Sequence, residues 1–117
     1  MTRDQTILLV ANEMAVFRNA RIEGSIEKAW RALERAHIIS QLHIGLHLNS
    51  HWEMLKFAVA VHDAREISGQ LARLVLAPLG TLTGRIPVGN TGRSNVSAFA
   101  PMPIPDDLRD VIDEVAR

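Results

Sequence analysis

Apolar positions recur at helical rather than strand spacing over most of this chain. Leu8, Leu9, Met14, Ala15, Phe17 and Ile22 predict a helix over about residues 6–22. Gly24 and Ser25 then read as a helix terminator followed by an N-cap. Ile26, Ala29, Trp30, Leu33, Ala36 and His37 form an i, i+3, i+4 stripe that predicts a second helix over 25–40. The third helix has two candidate starts. Ser50-His51-Trp52-Glu53 is a capping box, whereas His43, His47 and His51 repeat at i, i+4, i+8 and suit a start near Ile44. Gly45 counts against the earlier start, and the balance predicts helix over 46–62. A second capping box, Asp63-Ala64-Arg65-Glu66, opens a fourth helix over 64–79. Its predicted core positions are Ile67, Leu71, Leu74, Val75 and Leu79, and Pro78 is expected to kink or end it.

From Gly84 to Pro105 the periodicity stops. Gly84, Gly89, Asn90, Gly92, Ser94 and Asn95 are turn formers, and Pro101, Pro103 and Pro105 forbid helix. Ile86, Val88, Val96, Phe99, Met102 and Ile104 are dispersed through this stretch, which predicts a loop packed across the helices. Asp106 and Asp107 place acids at the positive end of a last helix over 106–116. The expectation is therefore an all-α fold of five helices in antiparallel hairpins, one domain over 1–117, with no sheet.

Composition narrows the function. Apolar residues make up 47% of 117 and aromatics 4%, so the core is aliphatic. Thirteen Lys plus Arg balance thirteen Asp plus Glu, which leaves no basic face for nucleic acid. Without cysteine, thiolate catalysis and Cys-based metal sites are excluded. No run approaches the roughly 20 apolar residues of a membrane span, and the N-terminus is a poor signal peptide, so the expected location is the cytoplasm.

The chemical signal lies around residue 42. His37, His43, His47 and His51 fall within fifteen residues, and Glu34 precedes the first by three. On helices paired across a turn near residue 42, His37 stands opposite His47 and Glu34 nearly opposite His51. Glu34, His37, His47 and His51 are thus a candidate ligand set for a divalent transition metal. Nitrogen-plus-carboxylate ligation leaves iron, zinc and copper open, with haem a lesser variant. Glu34-x-x-His37 resembles half of a dimetal bundle motif, but no second copy exists, which argues for a mononuclear site. His43 lies on the same stripe, as a ligand or exposed, and His62 reads as structural at a helix end. Trp30 and Trp52 both read as core.

Two resemblances add to this. Gly24-Ser25-Ile26-Glu27-Lys28-Ala29 through Leu33-Glu34-Arg35-Ala36 resembles the second helix of a tetratricopeptide repeat, with a weak echo at Asp63–Glu66. More specifically, Leu33–His37, His47, His51-Trp52 and Gly69-Gln70-Leu71 are similar to a family of small bacterial proteins known only as a domain of unknown function. So are Gly84-Arg85-Ile86-Pro87-Val88-Gly89-Asn90-Thr91-Gly92, Asn95–Phe99 and Pro101–Pro105. This resemblance covers about residues 29–108 and implies bacterial origin and a short helical domain, with no activity to carry over.

Two functions follow as expectations. One is a mononuclear metalloprotein that, as an enzyme, activates water or dioxygen beside a small-molecule substrate, with the Gly84–Pro105 loop covering the site. The other is a tetratricopeptide-like interaction module without chemistry. The fourth helix is apolar at Leu71, Leu74, Val75, Leu76, Leu79 and Leu82, around more than one face, which predicts a homodimer.

Overall fold

The computed structural model describes residues 1–116, and among them every regular element is helical. The five helices are α1 (Arg3–Glu23), α2 (Ile26–Ser40), α3 (Ile44–Ala60), α4 (Ala64–Thr83) and α5 (Asp106–Ala116). Successive helices pack as neighbours, α1 on α2, α2 on α3 and α3 on α4. None is long and apolar enough to cross a membrane.

Local chemistry sets the boundaries. Thr2 caps α1 in a reciprocal capping box with Gln5, which moves its start ahead of the predicted residue 6. Ser25 and Asp63 cap α2 and α4 by accepting from the backbone N–H groups of Lys28 and Glu66. Three helices end on a left-handed residue, namely Gly24, His62 (φ 58°) and Gly84. His62 thus takes the place usual for glycine, with the N–H groups of His62 and Asp63 donating back to Val59 and Ala58.

Two boundaries depart from expectation. Helix α3 starts at Ile44, the earlier of the two candidates, because the Ser50 hydroxyl donates to the His47 carbonyl inside the helix instead of capping it. Helix α4 runs through Pro78 to Thr83, and it is closed only at Gly84, where the N–H groups of Gly84 and Arg85 return to Thr81 and Gly80.

The main core joins Phe17 and Ala20 of α1, Ala29, Trp30, Ala32 and Leu33 of α2, and Met54, Phe57 and Ala58 of α3. Phe57 is its centre, edge-on to Phe17 and Trp30 with ring centroids 5.2 and 4.9 Å away. Such pairs contribute about 0.5–1.5 kcal/mol each beyond their buried area. A second cluster packs Leu108 of α5 against Leu9, Ile38 and Ile39. Arg35 of α2 fastens the same corner by pairing with Glu13 and Asp107 at 2.9 and 2.8 Å.

Several apolar residues expected in the core are outside it. Leu8, Ile22, Ile26 and Trp52 are exposed, as are Leu71, Val75 and Leu79 of α4. What α4 buries is polar: its two fully covered residues are Glu66 and Gln70. The reason lies in what covers α4, since residues 92–96 fold back onto it and attach through hydrogen bonds with Glu66, Gln70 and Arg73.

Candidate metal centre

Helix α2 presents His37 and helix α3 presents His47 and His51, one turn apart on the same face. All three imidazoles are buried, with 2–5% of their surface exposed. Their Nε2 atoms converge: His37–His47 is 3.0 Å, His37–His51 3.1 Å and His47–His51 3.2 Å. These residues form the one group of three or more ligating side chains among the described residues that could hold a metal ion.

The surrounding bonds fix which ring nitrogen carries hydrogen. His37 Nδ1 lies 2.8 Å from the Asn90 carbonyl, which can only accept, so Nδ1–H donates. The Gln70 amide nitrogen donates to the Glu66 carboxylate and the Gly92 carbonyl at 3.1 and 2.9 Å. Its oxygen therefore faces His51 Nδ1 at 2.8 Å, and that nitrogen donates as well. Neutral His37 and His51 consequently point bare Nε2 lone pairs at each other. His47 has one N–H to offer the pair, and only as its Nε2–H tautomer, which leaves its Nδ1 a bare acceptor buried without a partner. Protonation is opposed too. Burial, then the neighbouring imidazoles, push His37 well below the usual histidine range. Burial and His51 bring His47 down to about 4, and burial lowers His51.

The expected fourth ligand is elsewhere. Glu34 lies one turn before His37, and its carboxylate turns toward Arg93 at 3.7 Å instead of the imidazoles, with burial raising its pKa. The place opposite His51 belongs to Gln70. His43 sits half-buried at the start of α3, outside the group.

Residues 84–105 supply the parts that sequence spacing does not reveal. Asn90 is fully buried, and its amide donates to the carbonyls of Ser97 and Ala100 while its own carbonyl orients His37. Gly92 has φ +81°, and a Cβ there would lie 2.7 Å from the His37 ring, so only glycine lets the loop close on the imidazole. Glu66 accepts from Arg93 Nε at 2.6 Å and from the Ser94 N–H, and the Arg93 guanidinium stacks 3.9 Å above Trp30. The histidines also line a cavity of about 360 Å³, walled by Leu76, Ala77, Leu79, Ile86 and Phe99.

A family model described as "Protein of unknown function (DUF3703)" matches residues 4–112, and the chain belongs to that family. The match takes in α1, which the sequence resemblance reached least. No curated protein and no solved structure matches the chain.

Proposed function

We propose that this protein is a mononuclear metalloprotein in which His37, His47 and His51 hold a divalent transition metal. The observation that carries the reading is the meeting of two acceptor nitrogens, His37 Nε2 and His51 Nε2, at 3.1 Å in a buried site. A shared cation turns that repulsion into ligation. The spacing suits one: metal–nitrogen bonds of about 2.0–2.1 Å separate ligand atoms by about 2.9 Å at right angles and about 3.3 Å at tetrahedral angles. The three separations, 3.0, 3.1 and 3.2 Å, fall between. Asn90 and Gln70 supply the outer hydrogen bonds that orient metal-binding histidines.

Three neutral imidazoles suit zinc, iron or copper, and Glu34 drops out of the ligand set. Three protein ligands with a further position open on a cavity is the pattern of catalytic rather than structural sites. The reaction class this favours is activation of water or dioxygen beside a small-molecule substrate. The test is elemental analysis of the purified, untagged protein and of the His47→Ala/His51→Ala variant. Wild type should carry one metal per chain and the folded variant none. Equal content in the two would end this reading.

A separate observation favours self-association. Leu71, Val75, Leu79 and Leu82 are 52–83% exposed and recur at three- and four-residue spacing along α4. We propose that this stripe pairs with a second copy of the chain. Light scattering should report a dimer that Val75→Lys/Leu82→Lys converts to monomer, and a monomeric wild type at micromolar concentration would refute it.

A further inference from the structure

The cavity beside the histidines has an uncompensated charge. Its lining includes Arg73 and Arg85 but no aspartate or glutamate. Arg73 makes no ion pair among the described residues. Its terminal nitrogens donate to the carbonyls of Gly69, Arg93 and Val96, and its Nε is sealed from solvent without a partner. The buried carboxylate nearby, Glu66, is already engaged by Arg93, the Ser94 N–H and Gln70. The guanidinium is therefore held in place by neutral groups, and Glu66 acts on it only from beyond ion-pair distance. Arg73 lines the same cavity as the three imidazoles, so its field reaches them.

A divalent ion on three neutral imidazoles brings two further positive charges, and none of the cavity's walls offsets them. Uncompensated charge at the buried imidazoles is strongly unfavourable unless an opposite charge joins it. Most of the remaining lining is apolar, with Leu76, Ala77, Leu79, Ile86, Ala98 and Phe99, and its other polar side chains, Gln41, Thr83 and Asn90, are neutral. At about 360 Å³ the space is near the lower end of the roughly 300–1,000 Å³ usual for ligand pockets.

We infer that the cavity takes a small organic anion, a carboxylate or like oxyanion on an apolar body, with its headgroup toward the three-histidine centre and Arg73. This rests on the metal reading and names the ligand class of the same site. The headgroup supplies the missing negative charge, and the body covers the leucine and phenylalanine wall. Cationic ligands meet repulsion, and neutral ones leave the charge as it was.

Calorimetric titration of the metal-loaded, full-length protein with hexanoate, acetate, hexan-1-ol and hexylammonium tests this, with metal content measured on the same samples. Hexanoate should bind about tenfold or more tighter than hexan-1-ol, the worth of one charge-assisted contact, and tighter than acetate; hexylammonium should not bind. Arg73→Gln should lower hexanoate affinity about tenfold, and Arg73→Lys should restore part of it. Because Arg73 also ties the loop, Ala77→Asp serves as a second variant: it puts a carboxylate in the wall and should weaken hexanoate while leaving metal content at one per chain. Metal-loaded protein that binds hexan-1-ol as well as hexanoate, or binds none of the four, would overturn the anion pocket alone. Protein that carries no metal yet still prefers hexanoate would refute the metal centre and leave the anion pocket standing.

Discussion

The two sides of helix α3 are built by different physics. Toward α1 and α2 it packs Met54, Phe57 and Ala58 into an aliphatic and aromatic core, where contact is dispersive and tolerant of shape. On its other side lie His47 and His51, Gln70 and Glu66 of α4, and the folded-back loop, joined by directional hydrogen bonds. The first side needs only enough apolar volume. The second fails if one member is removed, because the remaining polar groups are already sealed from water. The fold and the candidate centre should therefore come apart under mutation.

The largest effect is expected from Glu66→Ala, which strips the Arg93 ion pair, the Ser94 N–H acceptor and the Gln70 anchor at once. Breaking a buried pair on one side costs about 3–5 kcal/mol. Hydrogen exchange should show protection lost across residues 90–97 while α1, α2 and the core half of α3 stay protected. Uniform loss through all helices would show that the two sides are one cooperative unit.

Acid should act next, on metal-stripped protein. Folded His47 titrates at about 4 against an ordinary 6.5, so as pH falls the unfolded chain takes up its proton first. Stability is then complete above about pH 6.5 and declines toward pH 4, by about 3 kcal/mol at 1.36 kcal/mol per pH unit. Urea midpoints at a series of pH values measure this, and a His47→Gln variant should flatten the curve. A wild-type midpoint constant between pH 7 and 4.5 would contradict the burial argument.

The smallest change is the most selective. Gln70→Leu keeps volume but removes the acceptor of His51 Nδ1–H. Loss of such an outer bond typically weakens metal binding about 10–100-fold. Competition with a chelator should report that drop with the far-ultraviolet helical signal intact, and unchanged affinity would mean that Gln70 serves only the loop.

This division also explains what was legible in the sequence. Helix count, order and most ends followed from periodicity and caps, since those are local properties: Ser25, Asp63, Gly24 and Gly84 each act within a few residues. The convergence of His37, His47 and His51 was also legible, because two helices joined by a short turn leave little choice of register. Glu34 was misplaced because its partner, Arg93, lies 59 positions away in a segment without periodicity. Gln70 and Asn90 stood out in the family resemblance, but their role at the site was missed for the same reason. An amide on a helix and an asparagine in a turn have ordinary local explanations, and only long-range contact reveals their work on the imidazoles. Helix α4 misled in the opposite sense, since its leucines predicted burial and Leu71, Val75 and Leu79 face outward.

The stacking of Arg93 on Trp30 has an optical consequence. The chain has two tryptophans and no tyrosine, and Trp52 is half-exposed on the surface whereas Trp30 is buried under the guanidinium. Ultraviolet emission therefore combines one solvent-facing indole with one whose surroundings depend on the loop being seated. With Trp52 replaced by phenylalanine, a single native fluorophore would remain, and its intensity and wavelength would follow in real time the release and return of the strap that closes the histidine site.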